Sequence, residues 1–256
     1  MDNIRKAVYA GSFYSASKSE LSKSIQTFLL ESKPKKFKKK LCALIVPHAG
    51  HIYSGSVAAF GFNLIKETKP KKIILIGPSH HDYLNGAFSF AGEWESPLCR
   101  TKITQAQLPI VANDKEHCLE VQLPFLQTVL KKFEFTPIIY GDIPAEELAD
   151  IINSESNTDS VLIASSDLSH YLSYVLAKKV DKETIDAILR LNLKEFEGVG
   201  DACGKTIIAA LIILAKKNNW EPILIDYKNS GDTAGDKKGV VGYAAIAFFC
   251  NEKIGE

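Results

Sequence analysis

The sequence has little of what would direct it to a membrane, to nucleic acid or out of the cell. No apolar run approaches the length of a membrane-spanning helix. Basic and acidic side chains number 31 and 30, so the net charge of +1 creates no overall attraction to nucleic acid or anionic lipid. The first residues show no basic segment leading into an apolar one, so we expect no secretory signal. These absences predict a cytoplasmic protein that acts without nucleic acid or membrane.

Cysteine is scarce as well. The five cysteines, an odd number without tight spacing, fit reduced thiols rather than a small secreted fold held by disulfides. Apolar residues make up 46% and charged residues 24%, which is typical of a globular protein with a packed core. No repeat, low-complexity tract or linker interrupts the chain, so we expect a single domain over residues 1–256.

Short apolar runs and helical patterns alternate along the chain. Three runs predict strands that are buried on both faces, at residues 41–46, 72–76 and 160–164. Amphipathic helices are predicted around them, at residues 119–133, 144–153 and 174–192. Residues 222–227 and 240–249 predict two further strands in an antiparallel pair. The pattern indicates an α/β fold with a central, mostly parallel or mixed sheet covered by helices.

Each of the first three predicted strands runs directly into a polar segment that contains histidine. His48 follows the first strand, His80 and His81 follow the second, and His170 follows the third. In open α/β sheets, ligands bind outside the carboxyl ends of the strands. Three parallel strands would therefore bring His48, His80 and His170 into one crevice. A single histidine is more often structural, and this interpretation remains the stronger one for His81. Its position after the second strand also makes His81 a candidate for lining the pocket.

Cys203 is followed by a nearly all-apolar stretch that predicts a buried helix. A thiolate in the first turn of a helix is stabilised by the helix dipole, which suits a metal ligand or a nucleophile. Packing as a small apolar residue explains Cys203 equally well. The triplet Gly-Lys-Thr at 204–206 resembles the end of a phosphate-binding loop, but Val199 stands where that motif needs glycine. We therefore expect no nucleotide-binding loop here.

Three further polar residues are candidates for the same pocket. His117 and Glu120 are three residues apart at the start of a predicted helix, where they either line the pocket or form a surface pair. Asp167 lies in the loop that leads to His170, either as a turn residue or as part of the pocket. The residues alone leave these alternatives open.

Together, the motifs resemble those of the Memo family in order and spacing, from residue 10 to about residue 247. The matching segments are residues 10–14 (AGSFY), 46–50 (VPHAG), 77–81 (GPSHH), Glu116 and His117 with Glu120, 165–167 (SSD) with His170, and 203–204 (CG). Residues 230–232 (SGD) and 241–245 (VGYAA) look like the prokaryotic branch of the family.

This resemblance implies a fold similar to that of class III extradiol dioxygenases, which hold non-haem iron. By motif, His48 and His80 fall on the metal-binding histidines, Cys203 on the third ligand position and His170 on the acid–base histidine, with Asp167 beside it. A thiolate in place of the dioxygenase carboxylate makes the site softer. Such a site suits Fe(II) or Cu(I), and it also accepts Zn(II).

The resemblance implies a metal-dependent, oxidoreductase-type enzyme whose substrate is an unknown small molecule or protein side chain. It also implies radical-SAM and AMMECR-type proteins as partners. Two alternatives use the same pocket. One is a non-catalytic adaptor that binds a peptide or an anion. The other is a zinc-dependent hydrolase with His170 as the base.

Overall fold

The computed structural model describes residues 4–33, 36–112 and 115–253. The strands in these ranges are β1 (Ile4–Arg5), β2 (Lys39–Val46), β3 (Lys72–Pro78), β4 (Ala87–Ser89), β5 (Glu93–Glu95), β6 (Arg100–Lys102), β7 (Glu134–Tyr140), β8 (Ser160–Ser165), β9 (Glu221–Asn229) and β10 (Gly242–Lys253). The helices are α1 (Lys18–Glu31), α2 (His51–Thr68), α3 (His117–Glu120), α4 (Leu123–Val129), α5 (Ala145–Glu155), α6 (Tyr174–Leu189), α7 (Leu193–Val199), α8 (Lys205–Lys217) and α9 (Ser230–Thr233).

A seven-stranded mixed sheet forms the centre of the fold, in the order β4-β7-β3-β8-β2-β10-β9. Strands β7, β3, β8 and β2 are parallel, whereas β4, β10 and β9 run antiparallel to their neighbours. Ala164 pairs with Ile45 on one side and with Ile76 on the other. This register places the carboxyl ends of β2, β8 and β3 at one edge of the sheet. Strands β1, β5 and β6 form a separate small sheet.

Helices cover both faces of the large sheet. On one face, α1, α2 and α4 pack over a core that includes Leu44 and Leu75. On the other, α5, α6 and α8 pack over Ile45 and Ile76. Successive strand residues point to opposite faces, so a sheet covered on both sides needs strands that are apolar at every position. The mixed α/β fold predicted from those apolar runs is confirmed. No helix in the described ranges is long and apolar enough to cross a membrane.

Two elements differ from the sequence prediction. The helix predicted over residues 119–133 is wrong, because the chain forms two short helices there, α3 and α4, with Pro124 in the first turn of α4. Strand β7 was not predicted, and Pro137 within it is unusual for a central strand. Within β7, strand β4 pairs with the segment from Ile138 to Tyr140 and not with Pro137. The pairing between β4 and β7 therefore needs no N–H from Pro137.

The expectation of five thiols is also wrong for two of the cysteines. Cys42 on β2 and Cys250 on β10 form a disulfide, with their Cα atoms 5.9 Å apart. Strands β2 and β10 are hydrogen-bonded neighbours, which brings together two residues that are 208 positions apart in the chain. Cys99, Cys118 and Cys203 are free thiols.

Candidate metal centre

A cavity of about 640 Å³ opens at the carboxyl ends of β2, β3 and β8. The histidines and carboxylates that line it are His48, His80, His117, His170, Asp167 and Asp236. Aromatic side chains form its walls, namely Phe13, Tyr53, Tyr171 and Tyr243. The three histidines that the sequence places after strands thus line one cavity, which the parallel register of the strands explains.

His48 lies directly beyond β2 and is only 2% exposed. Its Nδ1 is 3.1 Å from the hydroxyl of Ser165, the last residue of β8. Its Nε2 is 3.2 Å from Sγ of Cys203. One ring nitrogen is therefore held by the protein frame, and the other lies against the sulfur.

His80, beyond β3, has a partner in Glu116, which was not among the predicted site residues. The Glu116 carboxylate accepts a hydrogen bond from the His80 backbone N–H at 2.7 Å and lies 2.9 Å from His80 Nδ1. Burial alone would lower the pKa of His80, but hydrogen bonds with Cys203 and Glu116 raise it to about 9. Burial alone would raise the pKa of Glu116, but hydrogen bonds from His80 and from the Cys118 N–H lower it to about 2. The pair is therefore ionised at neutral pH.

His117 belongs to the same cluster. Its ring centroid is 5.3 Å from that of His48 and 4.6 Å from that of His80. The ligand atoms of these three histidines all lie within 4.8 Å of one another. Burial and, next, the neighbouring His48 lower the pKa of His117 to about 3, so the ring is neutral at pH 7. A neutral imidazole keeps one lone pair, which is the state that binds metals.

Cys203 lies two residues before α8 rather than in its first turn, so the helix-dipole argument does not apply directly. Its sulfur instead accepts a hydrogen bond from the Asp167 N–H at 3.2 Å. The Asp167 Oδ1 atom in turn accepts from the backbone N–H groups of His48, at 2.7 Å, and Ala49, at 3.3 Å. Asp167 therefore links the loop that contains His48 to the loop that contains Cys203 through hydrogen bonds. The sequence motif around Asp167 did not predict this role.

The remaining predicted residues have different positions. His170 lines the cavity and is partly buried. His81 is exposed, and its Nε2 is 3.0 Å from the Tyr9 hydroxyl rather than in the cavity lining. Glu120 does not line the cavity either, because its buried carboxylate pairs with Arg5 at 2.6 Å and accepts from the Tyr14 hydroxyl at 2.6 Å. Of the two alternatives that the sequence left open, the pocket lining and a surface pair, Glu120 takes neither, because it forms a buried ion pair.

A glycine allows the second segment of the site to approach the sheet. A Cβ atom on Gly77, in β3, would lie 2.5 Å from Sγ of Cys118, in α3. Any larger residue at position 77 would push α3 away, together with its neighbours Glu116 and His117. The glycine that precedes His80 in the sequence thus helps to bring these residues to His80.

Known proteins are similar to this chain over most of its length. A family model described as Memo-like protein matches residues 5–247. The chain belongs to the Memo family. A MEMO1 family protein of Thermoplasma acidophilum is 34% identical, over 94% of this chain and 97% of the relative. Another, from Nitrosopumilus maritimus, is 31% identical over 96% and 99% of the two chains. The crystal structure of an uncharacterized protein from Escherichia coli K12 aligns with 81% of this chain and 99% of its own, at a TM-score of 0.48 and 12% identity.

Proposed function

We propose that this Memo-family protein binds a redox-active metal, Fe(II) or Cu(I), and acts as an oxidoreductase-type enzyme on a small molecule or protein side chain. The observation that supports this most directly is the 3.2 Å approach of His48 Nε2 to Cys203 Sγ beside His80 and His117. Imidazole and thiolate donors together suit these metals. They also suit Zn(II), so the donor set narrows the choice of metal without deciding it.

The residues fit such a metal. His48, His80 and Cys203 would hold it, and His117 offers a further nitrogen within reach. Glu116 and Ser165 hydrogen-bond the rings of His80 and His48, as outer partners of metal ligands commonly do. When bound, the metal would supply electron transfer and polarise an oxygen atom of the substrate.

The lining residues that do not bind the metal have separate roles in this proposal. His170 lines the cavity but is not among the three histidines whose ligand atoms cluster. Such a position suits an imidazole that gives a proton to the substrate or takes one from it. The aromatic walls, including Phe13 and Tyr243, exclude water around the bound substrate. The radical-SAM and AMMECR-type partners stay predictions from the family resemblance.

The proposal is tested by removing each metal ligand in turn. In Cys203→Ser, His48→Ala and His80→Ala, the affinity for Fe(II) and Cu(I) should fall by more than about tenfold, since loss of even an outer partner costs about 10- to 100-fold. Elemental analysis after anaerobic purification and equilibrium titration with each metal provide the measurement.

Two histidine variants serve as matched controls. His81→Ala removes an exposed imidazole outside the cavity lining, and His170→Ala removes one inside it that does not join the cluster. Both should retain the metal. Unchanged Fe(II) and Cu(I) affinity in all three ligand variants would refute the metal proposal. A protein that is always purified without metal but binds a peptide would favour the adaptor, and zinc alone at one per chain would favour the hydrolase.

A further inference from the structure

A short chain of buried hydrogen bonds determines which nitrogen of His48 carries a proton. The Ser165 hydroxyl donates to the Cys118 carbonyl at 2.6 Å. The Gln122 amide nitrogen donates to the Pro47 carbonyl and to the Ser165 oxygen, each at 2.9 Å. Because both carbonyls are acceptors only, every bond in this chain has a fixed direction.

The consequence for His48 follows by counting donors and acceptors. The single hydroxyl proton of Ser165 is already used towards the Cys118 carbonyl, and one of its lone pairs accepts from Gln122. Towards His48 Nδ1, 3.1 Å away, the Ser165 oxygen can therefore only accept. Nδ1 must carry the proton, and the Nε2 atom that faces Cys203 is the ring atom left for another partner.

His80 is held in the same way by a different group. Both oxygens of the Glu116 carboxylate accept from backbone N–H groups, and one of them lies 2.9 Å from Nδ1 of His80. The same oxygen accepts from the Cys118 N–H at 3.0 Å, and the other oxygen accepts from the His80 N–H at 2.7 Å. Glu116 is 1% exposed, so water does not compete for these bonds. Nδ1 of His80 therefore also carries a proton.

One short segment, residues 116–122, takes part in orienting both histidine rings. It supplies Glu116, the Cys118 carbonyl and Gln122. A helix as short as α3 is not stable by itself, so its position depends on tertiary contacts. Arg5 provides two of them, donating to the Glu116 carbonyl at 2.8 Å and pairing with Glu120 at 2.6 Å. The segment is thus anchored independently of the cavity.

We infer that Glu116 and Ser165, the latter oriented by Gln122, are positioning residues that keep the proton of His80 and of His48 on Nδ1 and so reserve Nε2 of each ring for the metal. This inference rests on the proposed metal site for its purpose but not for its geometry. A ring nitrogen binds a metal through its lone pair, so with the proton held on Nδ1 the lone pair of Nε2 is the one available to the metal.

The test is carried out first on the metal-free protein. With ¹⁵N-labelled histidine, NMR spectra should show an Nδ1–H proton protected from solvent exchange in both His48 and His80. Glu116→Gln puts an amide N–H against a backbone N–H, so exchange at His80 should become at least about tenfold faster while His48 is unchanged. Ser165→Ala should do the reverse. Each variant is therefore a control for the fold of the other.

Two more variants complete the design. Glu116→Asp retains a carboxylate and should restore part of the protection at His80, whereas Glu183→Gln, a matched exchange on the exposed face of α6, should change neither ring. With Zn(II) as a diamagnetic probe, Glu116→Gln should raise the dissociation constant about 10- to 100-fold.

The two proposals fail in different ways. A wild-type protein with both protected Nδ1–H protons but no affinity for Zn(II), Fe(II) or Cu(I) would refute the metal site and support the positioning of the rings. A wild-type ring without an Nδ1 proton, or a His80 signal unchanged by Glu116→Gln, would overturn the inference about Glu116 and Ser165.

Discussion

At the scale of single residues, one type of side chain has very different acidities around this site. The pKa of His80 is raised to about 9, because its hydrogen bonds with Cys203 and Glu116 outweigh its burial. The pKa values of His117, at about 3, and of His51, at about 4, are lowered mainly by burial. The charge of an imidazole here is therefore decided by its burial and by its partners in three dimensions.

His51 provides a direct test of this effect. It is 5% exposed, its Nε2 is 2.9 Å from the Val121 carbonyl, and its Nδ1 is buried without a hydrogen-bond partner. Its pKa is lower in the folded protein than the 6.5 of an exposed histidine, so the unfolded chain binds more protons between pH 6.5 and 4. The stabilisation is therefore complete above pH 6.5 and is lost as the pH falls towards 4.

The measurement is the free energy of unfolding in urea at pH 7.5 and pH 4.5. Between these values, the wild type should lose about 2 to 3 kcal/mol more than His51→Gln, which keeps a donor for the carbonyl but does not titrate. His81→Gln, at an exposed position, should behave like the wild type. An equal loss in wild type and His51→Gln would show that His51 does not carry this pH dependence.

At the scale of helices and strands, the sequence predicted the elements whose pattern is local. The apolar runs of β2, β3 and β8 and the histidines after them were recognisable because burial on both faces leaves no polar position within a strand. Strand β7 and the break between α3 and α4 were not, since tertiary pairing there overrides a proline and a helical pattern. Glu116 and Gln122 were missed for the same reason, because their partners lie in β8 and in the loops after β3 and β2.

The contacts of Arg5 that anchor α3 lead to a prediction at this scale. Arg5 is 7% exposed, pairs with the buried Glu120 and lies with its guanidinium 4.7 Å from the centre of the Trp94 ring. Arg5→Met keeps most of the packing volume but leaves a buried carboxylate without its cation. It should cost about 3 to 5 kcal/mol in the free energy of unfolding.

Urea denaturation measures this cost, and the double variant Arg5→Met/Glu120→Gln should recover part of it, since no buried charge is then left unpaired. The exposed pair of Lys71 and Asp159 offers a control: Lys71→Met should change stability little. Equal stability of the single and double variants would mean that the charge of Glu120 is not what Arg5 balances.

At the scale of the whole molecule, the disulfide and the histidine-lined cavity lie apart along strand β2. Cys42 is the fourth of the eight residues of β2, and His48 lies just beyond the end of the strand. Six residues of extended chain span about 20 Å, so the disulfide is well separated from the cavity. The link between β2 and β10 therefore concerns the stability of the sheet rather than the chemistry of the histidines.

This separation leads to the last prediction. A disulfide that closes a long loop stabilises a protein mainly by restricting the unfolded chain, and this one joins residues 208 positions apart. Cys42→Ser should cost about 2 to 4 kcal/mol, which for a chain of this size lowers the melting temperature by roughly 5 to 15 °C. Metal affinity at 25 °C should be unchanged.

Cys99→Ser, which removes an exposed free thiol, should alter neither the melting temperature nor the metal affinity. Calorimetry of the wild type with and without a reducing agent should reproduce the difference, while Cys42→Ser should not respond to the reagent. If alkylation and mass spectrometry find Cys42 and Cys250 as free thiols in protein purified without reductant, the two strands are held by hydrogen bonds and packing alone.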